Sequence, residues 1–215
     1  MKKTRDYWNN LWQRKDVLYQ GRTLRCNNKK VDVDVTTFLS DTDAVISKIV
    51  KQFSLKKDTF NETANACQDF VVKNIAYRND TALNKTPEFW QFPFETAAMM
   101  AGDCEDGAIF MASLMLNAGI PNWRVKVAAG YVQEDHNAPT GGHAYCLYLA
   151  DKPDGSMEWE IHDWCYFEDS KVPTGTKPNA KDGGQKQAYK KVLFTFNNEF
   201  AWSDKLTIVD ENTLK

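Results

Sequence analysis

Between residues 103 and 117 the chain offers no polar stripe. Ala108, Ile109, Phe110, Met111, Ala112, Leu114, Met115 and Leu116 cover nearly every side of a helix, which predicts a central, buried one. Asp103 is a good N-cap for it, and Gly119 and Pro121 end it. Upstream, Tyr7, Trp8, Leu11 and Trp12, followed by Val17 and Leu18, predict an amphipathic helix within residues 4–20. Val31, Val33 and Val35 alternate with Asp32 and Asp34, as in a short edge strand or an extended loop. Residues 41–54 read as a helix with Ala44, Val45, Ile49, Val50 and Phe53 on its buried face. Thr59 and Glu62 form a capping box, and the helix behind it runs to about Ile75 on a stripe of Phe60, Ala64, Cys67, Phe70, Val71 and Ile75. Residues 78–93 read as a loop, and a short helix over 95–100 ends before Gly102. Three strand-like runs follow at 123–132, 143–150 and 157–166, then a loop rich in Lys, Gly, Pro and Thr at 169–187, then a last strand at 192–196. Helices, one buried helix and then strands suited to antiparallel pairing make an α+β fold. Residues 1–40 are expected to form an N-terminal arm packing on one domain, residues 41–215.

Composition narrows the partners more than the fold. The chain has 215 residues with a net charge of −2, so no global charge favours nucleic acid or an anionic membrane. No apolar run reaches the length of a membrane span. The basic start, Met1-Lys2-Lys3, lacks the apolar core of a signal peptide, so a cytoplasmic location is expected. The five cysteines, at 26, 67, 104, 146 and 165, are odd in number and contain no CxxC pair. That argues against a disulfide framework or a structural zinc site and fits a reducing compartment.

One of those cysteines is placed for chemistry. Cys104 opens the buried helix, where unpaired N–H groups and the helix dipole favour negative charge, and a thiolate is the nucleophilic form. A cysteine nucleophile needs a base and a group that orients the base. Of three histidines, His143 follows Gly141-Gly142 and opens a strand. Asp163 shares a strand face with the apolar Met157, Trp159, Ile161 and Cys165, whereas Glu158, Glu160, His162 and Trp164 form the more solvated face. If the two strands form a hairpin, His143 faces Asp163, which prefers His143 over His162 and His136. A donor to the developing oxyanion is also required. The Cys104 backbone N–H is one candidate, and Gln91 or Trp90, on the loop before the helix, is a second. Asn137 and His136 sit in a polar loop before His143 and line the groove rim at most.

The segments Gly102-Asp103-Cys104-Glu105-Asp106-Gly107-Ala108, Leu114 to Pro121, Val125 to Tyr131, Gly142-His143-Ala144-Tyr145 and Ile161-His162-Asp163 resemble the transglutaminase-like superfamily over about residues 65–166. The resemblance implies a papain-like core, with the Cys helix on an antiparallel sheet carrying His and Asp. It makes Cys104 the nucleophile, His143 the general base and acid, and Asp163 the orienting group, acting on protein or peptide amides by hydrolysis or transamidation. Asp103-Cys104-Glu105-Asp106 is similar to a bacterial branch of cysteine peptidases, some of which cleave surface adhesins and need calcium bound by acids flanking the cysteine. That branch implies Ca²⁺ at Asp103 and Glu105; the alternative is helix capping and dipole compensation, which needs no cofactor. The branch is usually exported, in contrast to the missing signal peptide here. Related small domains occur in tailed-phage genomes, which implies a second role: a virion-associated structural or binding protein, docked on a partner through the N-terminal aromatic arm.

Overall fold

The computed structural model describes residues 3–24, 26–27, 29–133, 137–166, 172–204, 207–210 and 213. Helix α1 (Arg5–Asn9) starts where the Thr4 side chain accepts the Tyr7 N–H and lasts only five residues. Val17 and Leu18 do not continue it. They enter strand β1 (Val17–Thr23), in which Val17 and Tyr19 are buried with a period of two. β1 pairs antiparallel with β2 (Lys30–Asp34), so the valine alternation there is a strand. Helix α2 (Ala44–Gln52) is capped by Asp43, which accepts the Val45 and Ile46 N–H groups. It buries Ile46 and Val50, whereas Val45 and Phe53, expected inside, are exposed. The capping box at Thr59 and Glu62 opens α3 (Phe60–Asn74), whose stripe is buried from Ala64 to Ile75 while Phe60 stays exposed.

A short strand, β3 (Ala76–Tyr77), precedes the expected loop, and a short helix, α4 (Asp80–Leu83), interrupts it. Helix α5 (Pro93–Met99) ends where Met100 adopts a left-handed φ of 49°. Strand β4 (Ala101–Gly102) pairs parallel with β3 and delivers the chain to α6 (Cys104–Asn117). Every residue of α6 from Glu105 to Leu116 is buried, as its all-round apolarity predicts. The strands β5 (Val125–Val132), β6 (Gly141–Asp151), β7 (Met157–His162), β8 (Tyr189–Phe196) and β9 (Ala201–Ser203) form one antiparallel sheet in the order β7-β6-β5-β8-β9. A final strand, β10 (Thr207–Val209), pairs with β1, so residue 196 does not end the strands and the N-terminal arm is stitched to the C-terminal part of the chain.

The sheet is covered on both faces. Val127, Ala129, Cys146, Tyr148, Phe194 and Phe196 join α3 and α6 in the main core, and Tyr145, Leu147, Leu149, Trp159 and Ile161 join Trp8 and Tyr189 in a second core. The β7 face expected to be solvated is also closed: Glu160 and His162 are fully buried. Segment 172–180 packs over them, Lys177 is buried beside them, and Glu160 accepts Lys152 Nζ at 2.5 Å and the Gly175 N–H at 2.9 Å. Long-range burial by a polar loop has no signature in strand parity. Among the described residues, no helix is long and apolar enough to cross a membrane.

Lys126 is the odd residue of the second core. Its ammonium is buried among Trp202, Trp12 and Trp159, 3.4, 4.2 and 5.1 Å from their ring centres, with no hydrogen-bond acceptor among the described residues. Burial, aided by Arg14, pushes its pKa down to about 7. The ring faces recover part of the cost of the charge. The unfolded lysine titrates near 10.4, so the unfolded chain holds the extra proton between about 7 and 10.4, and stability is lost as pH falls through that window. Lys126→Met should therefore stabilise the protein by about 1–3 kcal/mol at neutral pH, the gain shrinking toward pH ~10. Urea denaturation at the two pH values checks this; an equal loss of stability at both would contradict it.

Candidate active site

Cys104 occupies the first position of α6, and the turn around it is fastened from both sides. Asp106, fully buried, accepts the Gln91 backbone N–H at 2.7 Å, the Gln91 side-chain amide at 2.5 Å and the Asp103 N–H at 3.3 Å. This carboxylate ties the preceding loop to the helix start. On the other side, the Trp164 indole N–H donates to the Cys104 carbonyl at 3.2 Å. Trp164 can lie there because residue 107 has no side chain: a Cβ at Gly107 would sit 2.2 Å from indole atoms.

His143 and Asp163 meet beside Cys104. His143 Nε2 lies 2.5 Å from Asp163 Oδ2, and both residues are buried. β7 stops at His162, so Asp163 is one residue past the strand, yet its carboxylate still faces the expected partner. It is held firmly. The Tyr189 hydroxyl donates to Oδ2 at 2.7 Å, the Cys165 and Tyr166 N–H groups donate to Oδ1 at 3.2 and 3.3 Å, and Gln68 donates to the Asp163 carbonyl at 2.6 Å. Burial alone would lower the His143 pKa. The Asp163 charge and hydrogen bond, together with the Cys104 sulfur in hydrogen-bonding reach of the ring, outweigh it and raise the pKa to about 10. An imidazolium held there is placed to give a proton to a leaving group beside Cys104. A cleft of roughly 330 Å³, lined by Tyr77, Cys104, Gly142, His143, Cys165 and Tyr166, opens onto the pair.

A carboxylate cluster lies against the same helix start. Asp80, Glu88 and Glu105 place oxygens within 4.8 Å of one another, as do Asp80, Asp103 and Asp106. Burial, and then Asp103, push the Glu105 pKa well up; burial and Asp103 also raise Asp80 to about 7. Among the described residues, one buried oxygen each of Asp103 and Glu105 has no hydrogen-bond donor. Crowded, dry, under-donated carboxylates are the donor set that a hard cation such as Ca²⁺ takes. Glu105 also touches the nucleophile candidate, 3.1 Å from Cys104 Sγ.

Two expected oxyanion donors are elsewhere. Gln91 is buried with its amide turned to Asp106 and to the Ala101 carbonyl, and the Trp90 indole N–H donates to Glu88 at 2.7 Å while its ring stacks on Tyr19 and Phe196. Neither lines the cleft, which leaves the Cys104 N–H from that set. His162 lies on the opposite face of the hairpin from the cleft, its pKa pushed well down by burial and by Lys177. Asn137 is exposed, and His136 lies outside the described residues. Sequence reasoning missed Tyr189, Trp164, Asp80 and Glu88; only a buried Asp in need of several donors could have pointed to the first of these.

The sequence profile of the Transglutaminase-like superfamily matches residues 47–171, more than half of the chain. Among solved structures, Legionella pneumophila LapG is similar at 20% identity and a TM-score of 0.50, over 74% of this chain and 86% of that one. Its EGTA-treated form matches at the same identity and TM-score, over 74% and 83%. Its calcium-bound form does so over 74% and 86%. No curated protein sequence matches. At that identity the structural likeness speaks for the fold.

Proposed function

The chain belongs to the transglutaminase-like superfamily, and from that premise we propose that it is a thiol-dependent acyl-transfer enzyme, a cysteine peptidase or amidase acting on protein or peptide amides. The observation that carries the reading is the Asp163–His143 pair, 2.5 Å apart, set against Cys104 at a helix start in an open cleft. Cys104 attacks the amide carbonyl. His143 delivers its proton to the leaving amine and then takes one from water, which resolves the thioester. Asp163 keeps the ring oriented and stabilises its charged form. The Cys104 N–H donates to the developing oxyanion. In a crosslinking transglutaminase an amine would replace water at the second step. Cys104→Ala should abolish release of amine or ammonia from a peptide library; an unchanged rate would end the proposal. Added amine appearing in the product marks transfer.

Asp80, Glu88, Asp103 and Glu105 are the residues that would hold Ca²⁺, consistent with the calcium-bound form of LapG. Bound there, the cation would neutralise carboxylates that otherwise oppose a thiolate on Cys104. Excess Ca²⁺ should raise the melting temperature by several degrees, and the gain should vanish in Asp103→Asn/Glu105→Gln. Equal melting with Ca²⁺ and with chelator would remove calcium from the account. A second reading, a binding protein on the same scaffold, virion-associated or otherwise, draws on exposed Tyr7, Leu11 and Trp12. It is favoured if a stable protein complex forms without turnover.

A further inference from the structure

The cleft holds a second thiol that the proposed chemistry does not use. Cys165 lies two residues after Asp163 and lines the same opening as Cys104 and His143. Its Sγ is 3.9 Å from Asp163 Oδ1, and one ligand atom each from His143, Asp163 and Cys165 all lie within 4.8 Å of one another. We propose that His143, Asp163 and Cys165 form a binding site for a thiophilic divalent cation of the Zn²⁺ class, and that its occupancy silences Cys104.

The donor chemistry separates this site from the carboxylate cluster. A thiolate, an imidazole and one carboxylate suit a borderline-soft ion, whereas the four-acid set at the helix start suits a hard one. Zinc–nitrogen and zinc–oxygen bonds are about 2.0–2.2 Å and zinc–sulfur bonds about 2.3 Å, which puts tetrahedral ligands roughly 3–4 Å apart. The Cys165 Sγ–Asp163 Oδ1 distance of 3.9 Å already lies in that range, no pair exceeds 4.8 Å, and the His143 Nε2–Asp163 Oδ2 pair at 2.5 Å has to open by roughly an ångström to admit the ion. The cleft, lined by His143 and Cys165, is the access route. The surroundings needed to orient the carboxylate are already built: the Tyr189 hydroxyl on Oδ2 and two backbone N–H groups on Oδ1. Binding would engage the ring nitrogen that now meets Asp163 and draw the carboxylate onto the metal. His143 would lose its orienting partner and Cys104 its base. The silencing half of the proposal rests on the peptidase reading; the binding half does not.

Cobalt tests the binding half without reference to activity. The full chain, freed of metal and then saturated with Ca²⁺ to fill the acid cluster, is titrated with Co²⁺. A sulfur-to-cobalt charge-transfer band in the near ultraviolet reports a thiolate ligand; carboxylate-bound cobalt lacks it. The band should appear in wild type and in Cys104→Ala, be abolished by added Zn²⁺, and be absent from both Cys165→Ser and Cys165→Ala. No band in wild type, or a band that survives in the Cys165 variants and disappears in Cys104→Ala, overturns the site. For the silencing half, the Zn²⁺ concentration that halves peptide hydrolysis, each variant taken relative to its own metal-free rate, should rise at least about tenfold in Cys165→Ser. Equal sensitivity of both proteins overturns that half. Absence of hydrolysis in every variant would count against the peptidase reading alone, because the cobalt spectrum still reports the site.

Discussion

Asp163→Asn should lower peptide turnover by about three orders of magnitude or more while the chain stays folded. The substitution preserves shape and keeps an acceptor toward the Tyr189 hydroxyl, but its NH2 group then meets the Cys165 and Tyr166 N–H donors, so some stability is lost as well. What disappears is the negative charge that offsets the burial of His143. Burial is then opposed only by the Cys104 sulfur, and the ring's pKa falls from about 10. The imidazole of the variant holds its proton less firmly, so less imidazolium stands beside Cys104, and its preferred tautomer is no longer fixed. The loss should fall on kcat, because the carboxylate acts through the ring and does not line the cleft. A KM effect with kcat unchanged would mean that Asp163 serves the site only as structure.

Gly107→Ala should cost about 3 kcal/mol of stability and abolish the special reactivity of Cys104. The new Cβ would lie 2.2 Å from Trp164 Cε2 and Nε1, inside any tolerable contact. The indole has to leave, and with it goes the hydrogen bond to the Cys104 carbonyl. Trp164 sits between Asp163 and Cys165 in the chain, so displacing it also moves the carboxylate that holds His143. Urea denaturation and thiol alkylation together check this. A variant with wild-type midpoint and wild-type alkylation rate would show that the Trp164–Gly107 contact does not set the site.

What the sequence makes legible here are local patterns. The all-round apolarity of residues 108–116 places a buried helix with Cys104 at its start, and the observed α6 begins and ends at the expected residues. Strand parity pairs His143 with Asp163 although Asp163 lies beyond the end of β7, because one more residue of extended chain keeps its direction. Other features depend on partners far along the chain. Gln91 was a reasonable oxyanion donor until Asp106, fifteen positions away, claimed its amide. Val17 reads as the continuation of a helix because it follows the helically spaced Tyr7, Trp8, Leu11 and Trp12, but β10, nearly two hundred residues later, draws it into a sheet. Glu160 and His162 look solvated until the polar segment 172–180 closes over them. Asp80 and Glu88 gain meaning only once the loop before α5 folds them against Asp103 and Glu105.

One of the five cysteines is proposed as an activated nucleophile and the other four are not. All five are free thiols, so each is its own control. Brief iodoacetamide treatment near neutral pH, with Ca²⁺ present, followed by mass-spectrometric mapping, compares them in one tube. Fast alkylation should be confined to Cys104 and slowed at least about a hundredfold in His143→Ala. Slow, similar labelling of Cys104 and exposed Cys26, unaffected by His143→Ala, would contradict it.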